Sequence, residues 1–154
     1  MSEPSANEVV RRVRSKSLDC RTGLFLLPKH LLGCEKSLSV RFDLDAVDYT
    51  DWCERYLREG EKYLRFDGDK LLEYLHEACY GDFMMDCLLV YNFDLALAYL
   101  PYLERERVWV FLRDHFRKRP RGLILSMPEG ASRLLPDPAA LEVWTKGNRL
   151  ARVK

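Results

Sequence analysis

Two polar side chains follow an apolar segment at a position where chemistry is common in parallel sheets. Cys87–Tyr91 is a short, continuous apolar run bounded by turn residues, and Asn92 and Asp94 come directly after it. A run of this kind is typical of a strand buried on both faces. In open α/β sheets, ligands bind beyond the carboxyl ends of the strands. Asn92 and Asp94 are therefore the first candidate cofactor-binding residues.

A second candidate is the loop 28–37, which follows a predicted strand and ends in Lys36 and Ser37. A phosphate-binding loop needs two spaced glycines and a lysine directly after the second, so that backbone N–H groups can surround a phosphate. This loop has one glycine, Gly33, and two residues separate it from the lysine. One of them, Glu35, would direct a negative charge toward a triphosphate. A plain surface connection is therefore the favoured interpretation, and Lys36 and Ser37 are kept as candidates for a degenerate phosphate loop.

The elements that would position these residues alternate along the chain. The predicted strands are 22–27, 40–47, 87–91, 122–127 and 149–153, with a short strand or turn at 63–66. The predicted helices are 8–17 capped by Asn7, 51–60 capped by Asp51 and closed by Gly60, 67–81 capped by Asp67, 101–117, and 138–147 capped by Asp137. This order predicts a single α/β domain over 1–154, a three-layer sandwich with a mostly parallel central sheet.

Three strands carry the more specific predictions. Segments 87–91 and 123–127 are expected to be adjacent, central and parallel, because the helix between them has the length of a crossover connection. Segment 40–47 alternates between apolar and polar residues, which predicts an edge strand with one wet face. Residues 1–7 are polar and are expected to be disordered ahead of a basic N-terminal helix.

Composition indicates an ordinary globular protein with no resident metal. The chain has 154 residues, 47% hydrophobic and 32% charged, with no apolar run long enough for a membrane span and no signal peptide. We therefore expect a cytoplasmic protein with no membrane partner. Its five cysteines contain no C-x-x-C pair and its three histidines are far apart, which predicts reduced thiols and no zinc site.

Two hydrolytic chemistries are excluded by inspection. A PD-(D/E)-x-K nuclease needs an acid two residues before a lysine, and no lysine of this chain has one. Ser39, Ser126 and Ser132 lack a G-x-S-x-G elbow, so nucleophilic hydrolysis has no support. Asp43, Asp45 and Asp48 could form a metal cluster, but solvated carboxylates of an edge strand are the favoured interpretation. No catalytic residue is therefore predicted.

Segment 82–128 resembles the Walker B to sensor-one passage of RecA-like and AAA-type P-loop NTPases, because an apolar strand, a helix and a second apolar strand ending in Ser126 follow one another. The resemblance implies a P-loop NTPase-like fold and adds Ser126 to the candidate cofactor-binding residues. A working Walker B strand ends in an Asp that holds magnesium, often followed by a catalytic Glu. Tyr91 and Asn92 stand there instead. In size and layout the chain is similar to the small P-loop proteins of bacterial BREX phage-defence systems.

Basic residues are unevenly placed although the net charge is only +1. A cluster near the end of the long predicted helix supplies the candidate partner-binding residues, which are Arg113, Arg117, Lys118, Arg119 and Arg121. If the last strand paired near 123–127, three tail cations, Arg149, Arg152 and Lys154, would join them in one basic face. Such a face could bind an acidic protein or a phosphate backbone, and a solvated helix end is the alternative.

These observations favour a non-catalytic, degenerate P-loop-like adaptor or regulatory subunit without a cofactor. Its expected partner is a larger protein subunit, in a complex that acts in DNA-directed defence or remodelling. A small nucleotide-binding ATPase with an unorthodox site and a nucleic-acid-binding module are the two alternatives.

Overall fold

The computed structural model of the protein describes residues 3–57 and 67–154. Within these ranges the chain forms five strands: β1 Thr22–Leu27, β2 Asp45–Asp48, β3 Cys87–Tyr91, β4 Gly122–Pro128 and β5 Leu150–Arg152. The helices over the same ranges are α1 Ala6–Arg14, α2 Glu35–Arg41, α3 Tyr49–Leu57, α4 Gly68–Cys79, α5 Phe93–Leu97, α6 Tyr102–Asp114 and α7 Pro138–Lys146, with a 3-10 turn at Lys29–Leu31.

The sheet is entirely parallel and has the strand order β2-β3-β4-β1-β5. β4 lies at its centre, with Leu88 of β3 aligned to Leu123 and Thr22 of β1 aligned to the same residue. The prediction that 87–91 and 123–127 are adjacent internal strands is confirmed. The three-layer α/β architecture is confirmed as well.

The two faces of the sheet carry separate apolar cores because side chains alternate along each strand. In β1, Leu24 and Leu26 pack in the core formed with α3 to α7, whereas Phe25 and Leu27 pack in the core formed with α1 and α2. Since all six residues of β1 are buried, the strand reads as a continuous apolar run.

Helix α1 lies unusually close to the sheet. A Cβ atom on Gly23 would come within 2.9 Å of Cγ2 of Val13, and one on Gly122 within 2.6 Å of Cγ1 of the same valine. Two neighbouring strands therefore carry a glycine at their first or second residue, where Val13 packs. This contact holds the basic N-terminal helix against the start of β1 and β4.

The start of α1 differs from the prediction. Ser5, not Asn7, caps the helix, and its hydroxyl accepts the Glu8 N–H while the Glu8 carboxylate accepts the Ser5 N–H. This reciprocal pair needs an acidic residue three positions after the cap, and Glu8 satisfies that spacing only for Ser5. The helix consequently covers 6–14 instead of 8–17.

The predicted strand at 40–47 is wrong over its first half. Residues up to Arg41 belong to α2, Val40 is 78% exposed, and β2 begins only at Asp45. Leu38 and Phe42 lie four residues apart and both pack beneath α2, so a helical period fits the same apolar residues. Asp43, with φ of 55°, turns the chain between helix and strand. The edge position of β2 is as predicted.

The remaining helix predictions have mixed outcomes. Helix α3 begins at Tyr49, and the Asp48 carboxylate accepts the Thr50 N–H, so Asp51 lies within the first turn and is not the cap. The predicted closure at Gly60 and the segment 63–66 lie outside the described residues. Asp67 caps α4 through the Lys70 N–H, as predicted.

The last two helices also depart in detail. Helix α6 ends at Asp114, three residues earlier than expected. Asp137 and Gly147 flank α7 as predicted, but the Asp137 carboxylate accepts the Tyr102 hydroxyl instead of capping the helix. No helix within 3–57 and 67–154 has the length and hydropathy needed to cross a bilayer.

Candidate functional site

The sheet has one place where neighbouring strands send their connections to opposite faces. After β1 the chain enters α2, which packs in the core that also holds α1. After β4 it enters α7, whose Trp144 packs in the core on the other face. Because β1 and β4 are adjacent, a crevice opens between their carboxyl ends, and this is where open α/β sheets bind ligands.

A cleft of about 210 Å³ occupies this crevice. Its lining comes from the loop after β1 and from the ends of β3 and β4, and comprises Leu32, Gly33, Glu35, Asn92, Asp94, Ser126 and Pro128. Three candidate residues, Asn92, Asp94 and Ser126, therefore lie in one site. Lys36 and Ser37 do not line the cleft, since both are exposed on the first turn of α2.

The end of β3 has an uncommon backbone conformation. Asn92 has φ of 63° and ψ of 14°, a left-handed geometry that asparagine tolerates better than most residues. Its amide Nδ2 donates to Oδ1 of Asp48, 3.1 Å away at the end of β2. The side chain of Asn92 is thereby fixed at the edge of the cleft, between β3 and the acidic end of its neighbour.

Glu35 also lines the cleft and was not among the candidate site residues. Its side chain is buried, and Oε1 accepts the backbone N–H of Gly33 at 3.3 Å. In a phosphate-binding loop, that kind of N–H group would point at an anion. Here the Glu35 carboxylate accepts the hydrogen bond from this N–H group. The sequence alone indicates that this loop carries an acidic residue near its donors, because Glu35 lies between Gly33 and Lys36.

The electrostatics of the cleft disfavour another anion. Burial raises the pKa of Asp94, backbone hydrogen bonds at Asp94 and Leu95 oppose this, and the nearby Glu35 charge adds to it. Burial and then the charges of Asp48 and Glu35 raise the pKa of Tyr91. Among the described residues, no three His, Cys, Asp or Glu side chains are arranged to hold a metal ion.

Two of the candidate partner-binding arginines are used inside the fold. Arg121 donates Nε to the Met85 carbonyl, and its two terminal nitrogens donate to the carbonyls of Cys79 and Phe83, at 2.8 to 2.9 Å. Arg113 forms a two-point pair with Asp114, which lowers the pKa of that carboxyl. These contacts hold local structure.

The other three candidates lie on the turn before β4. Arg117 and Lys118 are exposed, and the Arg117 side chain donates to the Asp114 carbonyl. Arg119 is half-buried, and its guanidinium lies 3.7 Å from the centre of the Phe116 ring. This turn is at the amino end of the sheet, opposite the cleft.

The tail does not join this group in a single basic face. β5 pairs with β1, and β1 separates it from β4. Arg149 is buried, with its guanidinium 4.6 Å from the Trp144 ring and donating to the backbone and hydroxyl of Thr22. Arg152 pairs with Glu3 at the carboxyl end. The condition for one continuous basic face is therefore not met.

The candidate site is thus a small acidic cleft at the topological switch point, with its loop donor satisfied internally. Comparison with known proteins adds no family assignment, since no family model, no curated protein and no solved structure matches the chain.

Proposed function

We propose that this protein is a non-catalytic, P-loop-like adaptor subunit that binds a larger protein in a DNA-directed defence or remodelling complex. The observation that carries the proposal is the hydrogen bond between the Glu35 carboxylate and the Gly33 N–H at the switch-point cleft. In a P-loop, backbone N–H groups of the loop after the strand bind a nucleotide phosphate, and here the chain's own carboxylate accepts one such N–H group.

The charge of the cleft supports the absence of nucleotide turnover. Glu35 and Asp94 both line it, and no lysine or arginine does. A phosphate oxygen about 5 Å from one carboxylate is repelled by about 3 kcal/mol at an effective dielectric constant of about 20. Repulsion of this size removes more than two orders of magnitude in affinity. The ATPase alternative has no comparable support.

The order of the strands supports the P-loop-like part of the proposal. In RecA-like P-loop domains, the sensor-one strand lies between the P-loop strand and the Walker B strand. β4 lies in the same way between β1 and β3. This strand order supports a P-loop-like fold, while the acidic residues at the switch point disfavour a nucleotide.

An exposed apolar corner beside the cleft supports binding to a larger protein. Leu95, Tyr99, Tyr102 and Leu103 lie within nine residues at the junction of α5 and α6, and Tyr99 and Leu103 are more than 70% exposed. Asp94, Glu106 and Asp137 lie around them, and burial together with the Asp137 charge raises the pKa of Glu106. Large exposed apolar surfaces mark interaction sites. The fitting partner surface is apolar with lysines or arginines at its rim.

Calorimetric titration with Mg-ATP tests the nucleotide part. We expect no dissociation constant below about 1 mM, which corresponds to roughly −4 kcal/mol. Tighter binding that is lost in a Ser126→Trp variant, whose bulk would fill the cleft, would overturn the proposal.

Co-purification tests the adaptor part. The double variant Leu95→Glu/Leu103→Glu is expected to lose association with a larger protein encoded beside this one. The matched control is Val40→Glu, an exposed apolar residue on the opposite helical layer, and it should retain association. Equal binding by both variants would refute the assignment of this corner.

A further inference from the structure

A concave surface of about 630 Å³ lies at the amino ends of β1 and β4, on the opposite end of the sheet from the cleft. We call it the amino-end groove. Its lining residues are Lys16, Leu18, Asp19, Arg21, Tyr80, Lys118, Arg119 and Pro120. Four of them are cationic and one is acidic. The groove therefore carries a net positive charge although the whole chain is nearly neutral.

Internal contacts hold the cations of the groove in place. Arg119 stacks on Phe116 and donates Nε to Nδ1 of His76 at 3.3 Å. Lys118 has φ of 55°, and its backbone N–H donates to the Asp19 carbonyl at 3.2 Å. Arg21 donates to the carbonyls of Val13 and Pro120. The turn before β4 is thus joined to the segment before β1, and the groove is formed in advance of any ligand.

Three of the four cations of the groove are not neutralised by the protein. Over residues 3–57 and 67–154, no carboxylate lies within 4 Å of the charged groups of Lys16, Lys118 or Arg119. The fourth, Arg21, is buried and lies 4.0 Å from the Asp86 carboxylate. Burial lowers the pKa of Arg119, which means that its charged form is held at a cost. An anion in the groove would relieve that cost.

We propose that the amino-end groove binds the phosphate backbone of a nucleic-acid strand, with Lys16, Lys118 and Arg119 contacting phosphates and Tyr80 stacking on a base. Tyr80 is 58% exposed beside these cations. Clustered cations with an exposed aromatic ring are the combination that binds single strands without sequence preference.

The distribution of charge favours a polymer over a single phosphate group. Beside the groove, Arg11 of α1 and Arg41 line a second concave surface of about 600 Å³, together with Arg14, whose charge is paired with Asp86. The chain connects the two surfaces through Ser15 and Lys16, which lie in neighbouring positions. Cations therefore follow a track along the molecule, as successive phosphates require, instead of converging on one point.

Fluorescence anisotropy with a labelled single-stranded oligothymidylate of about 20 nucleotides tests this inference. Three phosphate contacts predict a slope of log Kobs against log salt of about −2. The double variant Lys16→Glu/Lys118→Glu should weaken binding at least about tenfold, and Tyr80→Ala at least about fivefold. The control Lys29→Glu/Lys154→Glu changes the net charge equally at the carboxyl end and should stay within about twofold.

Both double variants alter exposed lysines, and circular dichroism checks that they remain folded. Absence of binding at 50 mM salt would overturn the inference, as would an equal loss in the test and control variants. Binding to phosphatidylserine vesicles or to polyglutamate without binding to the oligothymidylate would also overturn it and would identify a lipid or protein partner. The outcome is independent of the Mg-ATP titration, since the two sites lie at opposite ends of the sheet.

Discussion

Replacing Arg121 with methionine is expected to lower the free energy of unfolding by about 3 kcal/mol. Arg121 stands directly before β4 and binds three carbonyls of the segment that joins α4 to β3, those of Cys79, Phe83 and Met85. Methionine keeps much of the apolar stem beside the Phe83 ring but removes every donor. The perturbation therefore isolates the hydrogen bonds from the packing.

The magnitude follows from the three bonds. A hydrogen bond to a charged group contributes about 1.5 kcal/mol at the low end, so three give about 4.5 kcal/mol. The bond to the Met85 carbonyl is exposed, and water replaces it in the variant, whereas the other two are partly buried. About 3 kcal/mol remains. For a domain of this size, that corresponds to a fall in Tm of about 6 to 12 °C.

Urea unfolding of the purified variants measures the effect. Arg117→Met is the matched control, because it removes the same charge from an exposed side chain that donates one bond to the Asp114 carbonyl. Its cost should stay within about 0.5 kcal/mol. If Arg121→Met costs less than about 1 kcal/mol, or no more than the control, Arg121 does not clamp this segment and its interpretation as a partner-binding residue regains weight.

Two further predictions concern titratable groups. Burial raises the pKa of Asp94, so the folded state binds this proton more readily than the unfolded chain, and the free energy of unfolding falls as pH rises above the ordinary aspartate pKa of about 3.9. The Asp94→Asn variant should therefore have a higher Tm than the original protein at pH 7 and lose that difference below about pH 4. A Tm difference that stays constant across this pH range would contradict the reasoning. Burial raises the pKa of Cys53, Cys79 and Cys87 to about 12, while Cys34 is exposed. A maleimide at pH 7.5 should therefore label one thiol rapidly, and the Cys34→Ser variant should lack that fast phase. Fast labelling of several thiols in the folded protein would contradict the burial of the other cysteines.

The central strands could be predicted because they are buried on both faces. β3 matches the predicted 87–91 and β1 matches 22–27. Asp86 and Asn92 bound the apolar run of β3, and Pro28 ends that of β1. A strand that is buried on both faces is nearly continuous in apolar residues, and this makes it easy to recognise in a sequence. The adjacency of β3 and β4 followed from the length of the intervening helix, which is a topological constraint independent of side-chain detail.

The secondary structure around Val40 could not be assigned from the sequence, because the apolar residues of this short segment fit both the two-residue period of a strand and the 3.6-residue period of a helix. Phe42 and Leu44 alternate with polar residues as in a strand, but Leu38 and Phe42 also have helical spacing. Over so few residues the two patterns share their members. Tertiary packing decides: Leu38, Phe42 and Leu44 all enter the core beneath α2, and Val40 is left in solvent.

The sequence predicted where the candidate site lies in the fold, but not which contacts its charged side chains make. Asn92 and Asp94 were located by the rule that ligands bind at strand ends. That Glu35 bonds to its own loop, and that Arg121 and Arg149 serve the interior, depends on where long side chains finally point. Arginine can span several ångströms to a carbonyl that is distant in sequence, so its type and position alone do not distinguish a surface cation from an internal clamp.

The parallel arrangement of the strands separates two opposite charges by the length of the sheet. β4 has seven residues, so about 20 Å lies between its ends. At physiological ionic strength the Debye length is about 8 Å, so neither end shields the other. The acidic cleft and the basic groove are therefore electrostatically separate sites in a chain of almost no net charge. If a nucleic-acid strand binds in the groove, the acidic cleft and the apolar corner face away from it. A protein bound at that corner would then lie within a few nanometres of the nucleic acid.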